Sequence, residues 1–164
     1  MQVTEIGVVR SNYVEHRLAP QQAALNPDET AWVEMVPSFA DGLRALDGFD
    51  YVWLITWLGD DAVRTMGPLL EVPHLVAHLG LEVGTFATRG PFRPTPIGLH
   101  LVRGMPIEAL RLTFRGVDII DGTPVLDVKP YVKEFDRPVD ADTLSGWYGR
   151  VDFDSVIKRR GILS

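Results

Sequence analysis

Between Glu82 and Val132 the chain runs through four short segments rich in β-branched and aromatic residues. They span residues 82–88, 97–103, 110–117 and 125–132, and Gly- or Pro-rich turns separate them. That spacing predicts a mostly antiparallel β-fold. Three further strands are expected upstream. The first covers residues 3–9, with β-branched Val3, Val8 and Val9 and with Gly7 as a bulge or bend. The second covers residues 31–36. The third, residues 49–58, has no polar face, so it is expected to be central and buried on both sides. Helical signals are few. Ser38 is an N-cap candidate with Asp41 three residues on, and Phe39, Leu43 and Leu46 would form the apolar face of a short helix closed by Asp47-Gly48. Residues 59–81, broken by Pro68 and Pro73, read as a loop with one helical turn. Near the end, Asp140-Ala141-Asp142 resembles the acidic first turn of a helix running through Trp147, followed by the basic cluster Lys158-Arg159-Arg160.

Composition narrows the class of protein. Of 164 residues, 46% are apolar and 23% charged, an ordinary balance for one folded soluble domain. No repeat or low-complexity tract divides it; the expected organisation is a domain over residues 1–138 with a helix and tail, 139–164, packed on it. No apolar run is long enough for a membrane-spanning helix, and the first residues lack the pattern of a secretory signal, so a cytoplasmic location without membrane contact is expected. The absence of cysteine rules out disulfides, thiolate nucleophiles and thiolate zinc sites. A net charge of −6 argues against binding nucleic acid through a globally basic surface.

Neither common nucleotide-binding glycine fingerprint occurs, which excludes the usual Rossmann-type methyltransferase or dehydrogenase. His74 and His78 have helix-face spacing, but no third ligand accompanies them and no metal is expected. Two segments are denser in chemistry. Gly84-Thr85-Phe86-Ala87-Thr88-Arg89-Gly90-Pro91-Phe92-Arg93-Pro94-Thr95-Pro96-Ile97-Gly98-Leu99 carries three prolines within six residues, which hold the connection in one extended shape. Arg89 and Arg93 offer planar donors for a carboxylate or phosphate. A structural connection with its arginines in water would look the same. The second segment contains the turn Asp121-Gly122-Thr123-Pro124 and then Asp127, Lys129 and Tyr131 on one strand face, with Leu126 and Val128 on the other. An acid, a base and a phenol in line suit a reaction site; a surface strand with one ion pair fits equally.

Together with Pro20-Gln21-Gln22 and Leu46-Asp47-Gly48-Phe49-Asp50-Tyr51-Val52-Trp53-Leu54-Ile55, these segments resemble the TsaA/TrmO-like family over about the first 135 residues. Members are tRNA (adenine-N6)-methyltransferases acting on N6-threonylcarbamoyladenosine at position 37. The resemblance implies a small single-sheet β-barrel that binds S-adenosylmethionine without a Rossmann fold and works as a homodimer. Carried over by motif, the cofactor contacts fall on Pro20, Gln21, Gln22, Arg89, Leu99, Asp121, Gly122, Thr123 and Pro124. The turn's amides would receive the adenosine and the amino-acid carboxylate, with Arg89 paired to the latter.

For the transfer itself, Asp127 and Tyr131 are candidates to take the N6 proton, while Arg93 and Lys129 are candidates to orient the threonyl carboxylate. Phe92 and Trp147 are candidates to stack on RNA bases. The chain departs from the family in places. Gln21 stands where an arginine is usual, Gly59-Asp60 where a His-containing segment is usual, Glu71-Val72-Pro73-His74 where a basic stretch is usual, and Thr95 where Asn is usual. The added C-terminal domain of longer bacterial members does not fit within this sequence. Fewer cations weaken phosphate contacts, so two other readings stand beside the first. One is a methyltransferase with a different small-molecule or RNA acceptor; the other is a noncatalytic S-adenosylmethionine-binding dimer.

Overall fold

The computed structural model describes residues 2–15, 18–20, 22–59, 68–139 and 142–159. Its strands are β1 (Gly7–Arg10), β2 (Thr30–Met35), β3 (Tyr51–Trp57), β4 (Leu70–Glu71), β5 (Val83–Gly84), β6 (Ile97–Glu108), β7 (Arg111–Arg115) and β8 (Pro124–Pro130). Two short helices follow, α1 (Lys133–Asp136) and α2 (Phe153–Arg159). The chain divides into two compact units: Met1–Leu58 with Ile97–Lys133, and Gly59–Pro96 with Glu134–Ser164.

The first unit is a closed barrel in the order β1-β2-β7-β6-β3-β8, with every pairing antiparallel. The expected mainly β fold, a single-sheet barrel with a few short helices, is the fold observed. Alternation drives closure: each strand turns one parity inward, and a closed sheet leaves no strand edge unpaired. Val9, Ala31, Val33, Met35, Val52, Leu54, Val102, Leu112, Phe114 and Val125 fill the lumen, joined by Val117 and Ile119 from the connection between β7 and β8. Burying each large side chain contributes roughly 1.5–3 kcal/mol.

Several sequence expectations give way to packing. β1 begins at Gly7 rather than Val3, and Gly7 pairs in regular register with Met35 and Val125, so it is no bulge. β3 is buried on one face only, by Val52, Leu54 and Thr56, while Tyr51, Trp53, Ile55 and Trp57 face outward. Its lack of polar residues reflects an aromatic outer face, not a central position. β6 continues past Arg103 to Glu108 because a register shift between Gly104 and Ile107 accommodates Pro106, which cannot donate to the ladder. In β8 the register shifts opposite Ile55 and Thr56, so Val125 is fully buried and Val128 also packs against the core. Leu126 therefore does not share a simple alternating face with Val128. The segment Pro37–Leu43 forms a 3-10 turn with Pro37 as its first residue, in place of a helix capped by Ser38; Leu43 is its only buried side chain.

The second unit contains the β4–β5 ribbon and 3-10 turns at His74–Leu79, Thr85–Ala87 and Gly146–Arg150. The strand expected at residues 82–88 is thus two residues of ribbon followed by a turn. The helix expected from Asp140 through Trp147 does not form over its described part. Residues 142–145 are irregular, Trp147 lies in a 3-10 turn, and the terminal helix is α2; Asp140, Ala141 and Arg160 lie outside the described residues. Among the described residues, no helix is long and apolar enough to cross a membrane.

Candidate functional site

One end of the barrel carries a set of polar side chains that the alternation pattern brings together. Inward-facing Thr56 of β3 and His100 of β6 stand among apolar lumen residues, with Thr56 Oγ1 3.0 Å from His100 Nε2. His100 Nδ1 is 2.8 Å from Asp118 Oδ1, and Asp118 Oδ2 accepts the Ala23 N–H at 2.9 Å. Thr56 is fully buried, and the His100 and Asp118 side chains are only 9% and 8% exposed. A carboxylate can only accept, so a neutral imidazole carries its proton on Nδ1 toward Asp118 and accepts the Thr56 hydroxyl at Nε2. Thr56, His100 and Asp118 then each have a partner. Gly98 makes room for this arrangement. A Cβ there would lie 2.2 Å from Thr56 Oγ1 and 2.5 Å from His100 Nε2.

The connection after β7 continues into the turn at Asp121. Asp121 Oδ1 accepts the Ser11 N–H at 3.1 Å, and Arg10 Nη1 lies 4.0 Å from Asp121 Oδ2. Ser11 Oγ donates to Ile119 O, and Thr123 Oγ1 donates to Ile120 O. The amides expected to be free for a ligand are engaged: Asp121 N–H donates to Tyr13 O, Gly122 N–H to Val9 O and Thr123 N–H to Ile120 O. What the turn presents outward is a half-exposed carboxylate beside Gly122, whose missing side chain leaves open space. That set suits hydroxyl or ammonium groups and a flat ring laid on the backbone, and does not suit a ligand carboxylate.

Pro20 is buried and Gln22 half-buried, immediately before the 3-10 turn Ala23–Leu25; Gln21 lies outside the described residues. Below that turn Glu29 gathers Tyr13, Asn26 and Asn12. Burial pushes the Glu29 carboxyl upward, but the three hydrogen bonds together outweigh it and hold the group below its ordinary value. Leu99 is on the outer face of β6 and 52% exposed.

In the second unit Arg93 serves its own loop. Its Nη1 donates to Thr85 O at 3.1 Å and Thr88 O at 2.8 Å, and the guanidinium lies over the Phe86 ring. Trp147 Nε1 donates to Ala87 O and its ring stacks on Tyr148 at 3.8 Å, while the Arg89 N–H donates to the Tyr148 hydroxyl. Trp147 therefore buttresses the loop. Arg89 and Phe92 are exposed. His74 and His78 lie on either side of a kink at Val76 that interrupts the 3-10 segment His74–Leu79, so the two do not sit on one continuous helix. No cluster of three or more metal-ligating side chains occurs among the described residues.

On β8, Lys129 Nζ and Asp127 Oδ2 are 2.8 Å apart. The hydrogen bond and negative charge of Asp127 hold the Lys129 ammonium above its ordinary pKa, so it stays protonated at neutral pH. Tyr131 sits edge-on to Tyr51 and near Trp53. Lys129 is five residues from Pro124, about 17 Å of strand, so the structure joins Asp127 to Lys129 without bringing Lys129 to the Asp121 turn.

A sequence model of the tRNA-methyltransferase O N-terminal domain family matches residues 8–137. The chain belongs to this family. It is 36% identical over 159 residues to a probable S-adenosyl-L-methionine-binding protein of Archaeoglobus fulgidus, covering 97% of this chain and 41% of that protein. It is 32% identical over 137 residues to a tRNA (adenine(37)-N6)-methyltransferase of Escherichia coli K12, covering 80% of this chain and 57% of that protein. A crystal structure of TrmO from Pseudomonas aeruginosa superposes with a TM-score of 0.70 at 34% identity, covering 89% of this chain and 61% of the other. The chain thus spans less than two thirds of each of these proteins.

The matched segment takes in every residue that the resemblance assigns to the cofactor, and also Thr56, His100 and Asp118, which the sequence reading passed over. Their signal was available. A threonine and a histidine occupy the apolar parity of two strands, where an unpaired polar group would be costly.

Proposed function

We propose that this chain is an S-adenosylmethionine-dependent methyltransferase acting on N6 of N6-threonylcarbamoyladenosine at position 37 of a tRNA anticodon loop. The observation that carries this reading is the family match over residues 8–137. Relatives named for S-adenosylmethionine binding and for tRNA adenine-37 methylation support it. In this proposal Pro20, Gln21, Gln22, Leu99 and the Asp121 turn receive the cofactor. The Asp121 carboxylate serves its ribose hydroxyls or ammonium group, and Arg89 serves its carboxylate. In the transfer the N6 lone pair forms a bond to the methyl carbon as the carbon–sulfur bond breaks. The electron pair stays on sulfur, and the N6 proton leaves to a base. Positioning N6 in line with the sulfur supplies most of the rate.

Asp127 and Tyr131 are the proposed bases. Lys129, paired with Asp127, and Arg93, committed to its own loop, are weaker candidates for the threonyl carboxylate than the sequence suggested; Phe92 remains the proposed stacking residue. The proposed domain is residues 1–138, with 139–164 appended, working in the cytoplasm as a homodimer. The half-exposed apolar outer face of β3 and β6, where Tyr51, Ile97, Leu99 and Leu101 stand, supports a second copy as the covering partner.

Nucleoside mass spectrometry tests the function. A strain lacking the gene should lose the N6-methylated form of threonylcarbamoyladenosine and regain it on complementation. Unchanged tRNA nucleosides, with S-adenosylmethionine binding retained by the purified protein, would refute this acceptor and favour a different one.

A further inference from the structure

The order hydroxyl, imidazole, carboxylate along Thr56, His100 and Asp118 is that of a hydrolase triad, but the geometry denies it that use. Thr56 is fully buried, Gly98 sits against it, and both of its neighbours in the triad are nearly enclosed. No substrate carbonyl can reach the hydroxyl. What the chain does reach is the backbone. The 3-10 turn Ala23–Leu25 has no side-chain cap of its own: Gln22 before it is extended and makes no capping bond. Asp118, distant by 95 positions in sequence, supplies the missing acceptor to the Ala23 N–H. The segment that turn anchors contains Pro20 and Gln22.

We propose that His100 is a positioning residue for the cofactor segment. Through Nδ1 it fixes the Asp118 carboxylate, which pins the Ala23 amide and so sets where Gln22 and Pro20 stand. This rests on the assignment of those residues to S-adenosylmethionine. Without the imidazole, Asp118 keeps the amide on one oxygen but has nothing to orient the other, and it turns toward water. Thr56 acts one step further out, holding the imidazole plane from the opposite nitrogen. The consequence falls on cofactor binding, because this chain of contacts ends at the Ala23 amide, beside Gln22. Pro20 is itself buried, with its φ fixed by the ring.

Two substitutions of equal disruption separate this role from a purely structural one. An Asn amide nitrogen falls close to where Nδ1 was, so His100→Asn keeps the Asp118 contact and loses Thr56. A Gln amide falls near Nε2, so His100→Gln keeps Thr56 and loses Asp118. Calorimetry with S-adenosylmethionine should find affinity nearly retained in His100→Asn and lowered about tenfold in His100→Gln, the loss expected when one buried hydrogen bond stops organising a site. Hydrogen exchange at the Ala23 amide, read without cofactor, should quicken only in His100→Gln. Equal affinities in the two variants would overturn the positioning role while leaving the cofactor assignment standing. Absence of S-adenosylmethionine binding in the unaltered protein would overturn that assignment and this inference with it.

Discussion

Gly98→Ala is the substitution whose cost the structure specifies best. Ordinary carbon contact begins near 3.4 Å, and the added methyl would lie 2.2 Å from Thr56 Oγ1, an overlap of about 1.2 Å. Thr56 and Gly98 are direct cross-strand partners, and β3 is held on its other side by β8, so backbone retreat would strain two ladders at once. The remaining route is to break the Thr56–His100 bond. Overpacking of this size costs about 1–3 kcal/mol, and stranding a buried acceptor adds about 1–3 kcal/mol, for a combined loss of about 2–6 kcal/mol. Against a domain stability of roughly 5–15 kcal/mol that is a large fraction. Urea unfolding followed by the fluorescence of Trp53 and Trp57 measures it. Thr56→Ala removes the nearer obstacle, so Gly98→Ala made in that background should cost at least about 1 kcal/mol less. A loss below about 0.5 kcal/mol for Gly98→Ala alone, or strict additivity of the pair, would refute the packing argument.

Three further outcomes are expected. Glu29 has its folded pKa held below the ordinary value of 4.5, so its contribution is present above the unfolded pKa and is lost as pH falls through the folded one. The stability gap between wild type and Glu29→Gln, from urea melts, should therefore be widest near pH 7 and close progressively below about pH 4.5; a gap that widens on acidification would contradict the sign. If Asp127 or Tyr131 is the base, Asp127→Asn or Tyr131→Phe should lower kcat by about a hundredfold or more with S-adenosylmethionine affinity unchanged, measured by methyl incorporation into tRNA; full activity in both variants removes them from the reaction. Light scattering after size exclusion should give twice the 18.3 kDa chain mass at micromolar concentration, and the single-chain mass across a wide concentration range would exclude the homodimer.

The barrel strands were legible wherever alternation was strong. The expected segments at 31–36, 97–103, 110–117 and 125–132 all overlap observed strands. Where composition and partner disagreed, the partner decided. Val83, Thr85 and Thr88 have strand propensity, yet Gly84 pairs only with Leu70 and the chain then turns, so the run ends after two residues. β6 runs longer than its proline suggests because a bulge absorbs Pro106. The Asp121 turn was recognised from its residue types, but its amides were expected to be free. Only the pairing with Tyr13 and Val9, more than a hundred positions earlier, reveals that they are engaged. Arg93 likewise read as a ligand donor because nothing local shows that the carbonyls of Thr85 and Thr88 face it. The buried Thr56, His100 and Asp118 were visible in pattern and missed in meaning, since three elements must meet before their side chains do.

Closure of the barrel also dictates an order of events during synthesis. The seam that completes it pairs Gly7 with Val125, 118 residues later, and Val8 with Pro124. At about 5–20 residues per second, β1 leaves the ribosome roughly 6–24 s before its last partner exists. Until β7 emerges β1 and β2 form at most a ribbon with both edges open, β1 keeps its open edge until β8 arrives, and the outward aromatic residues of β3 have no finished barrel behind them. Nascent chains stalled before β8 should therefore be the species that chaperones hold, and release should coincide with emergence of β8, the strand through which the two ends of the sheet meet.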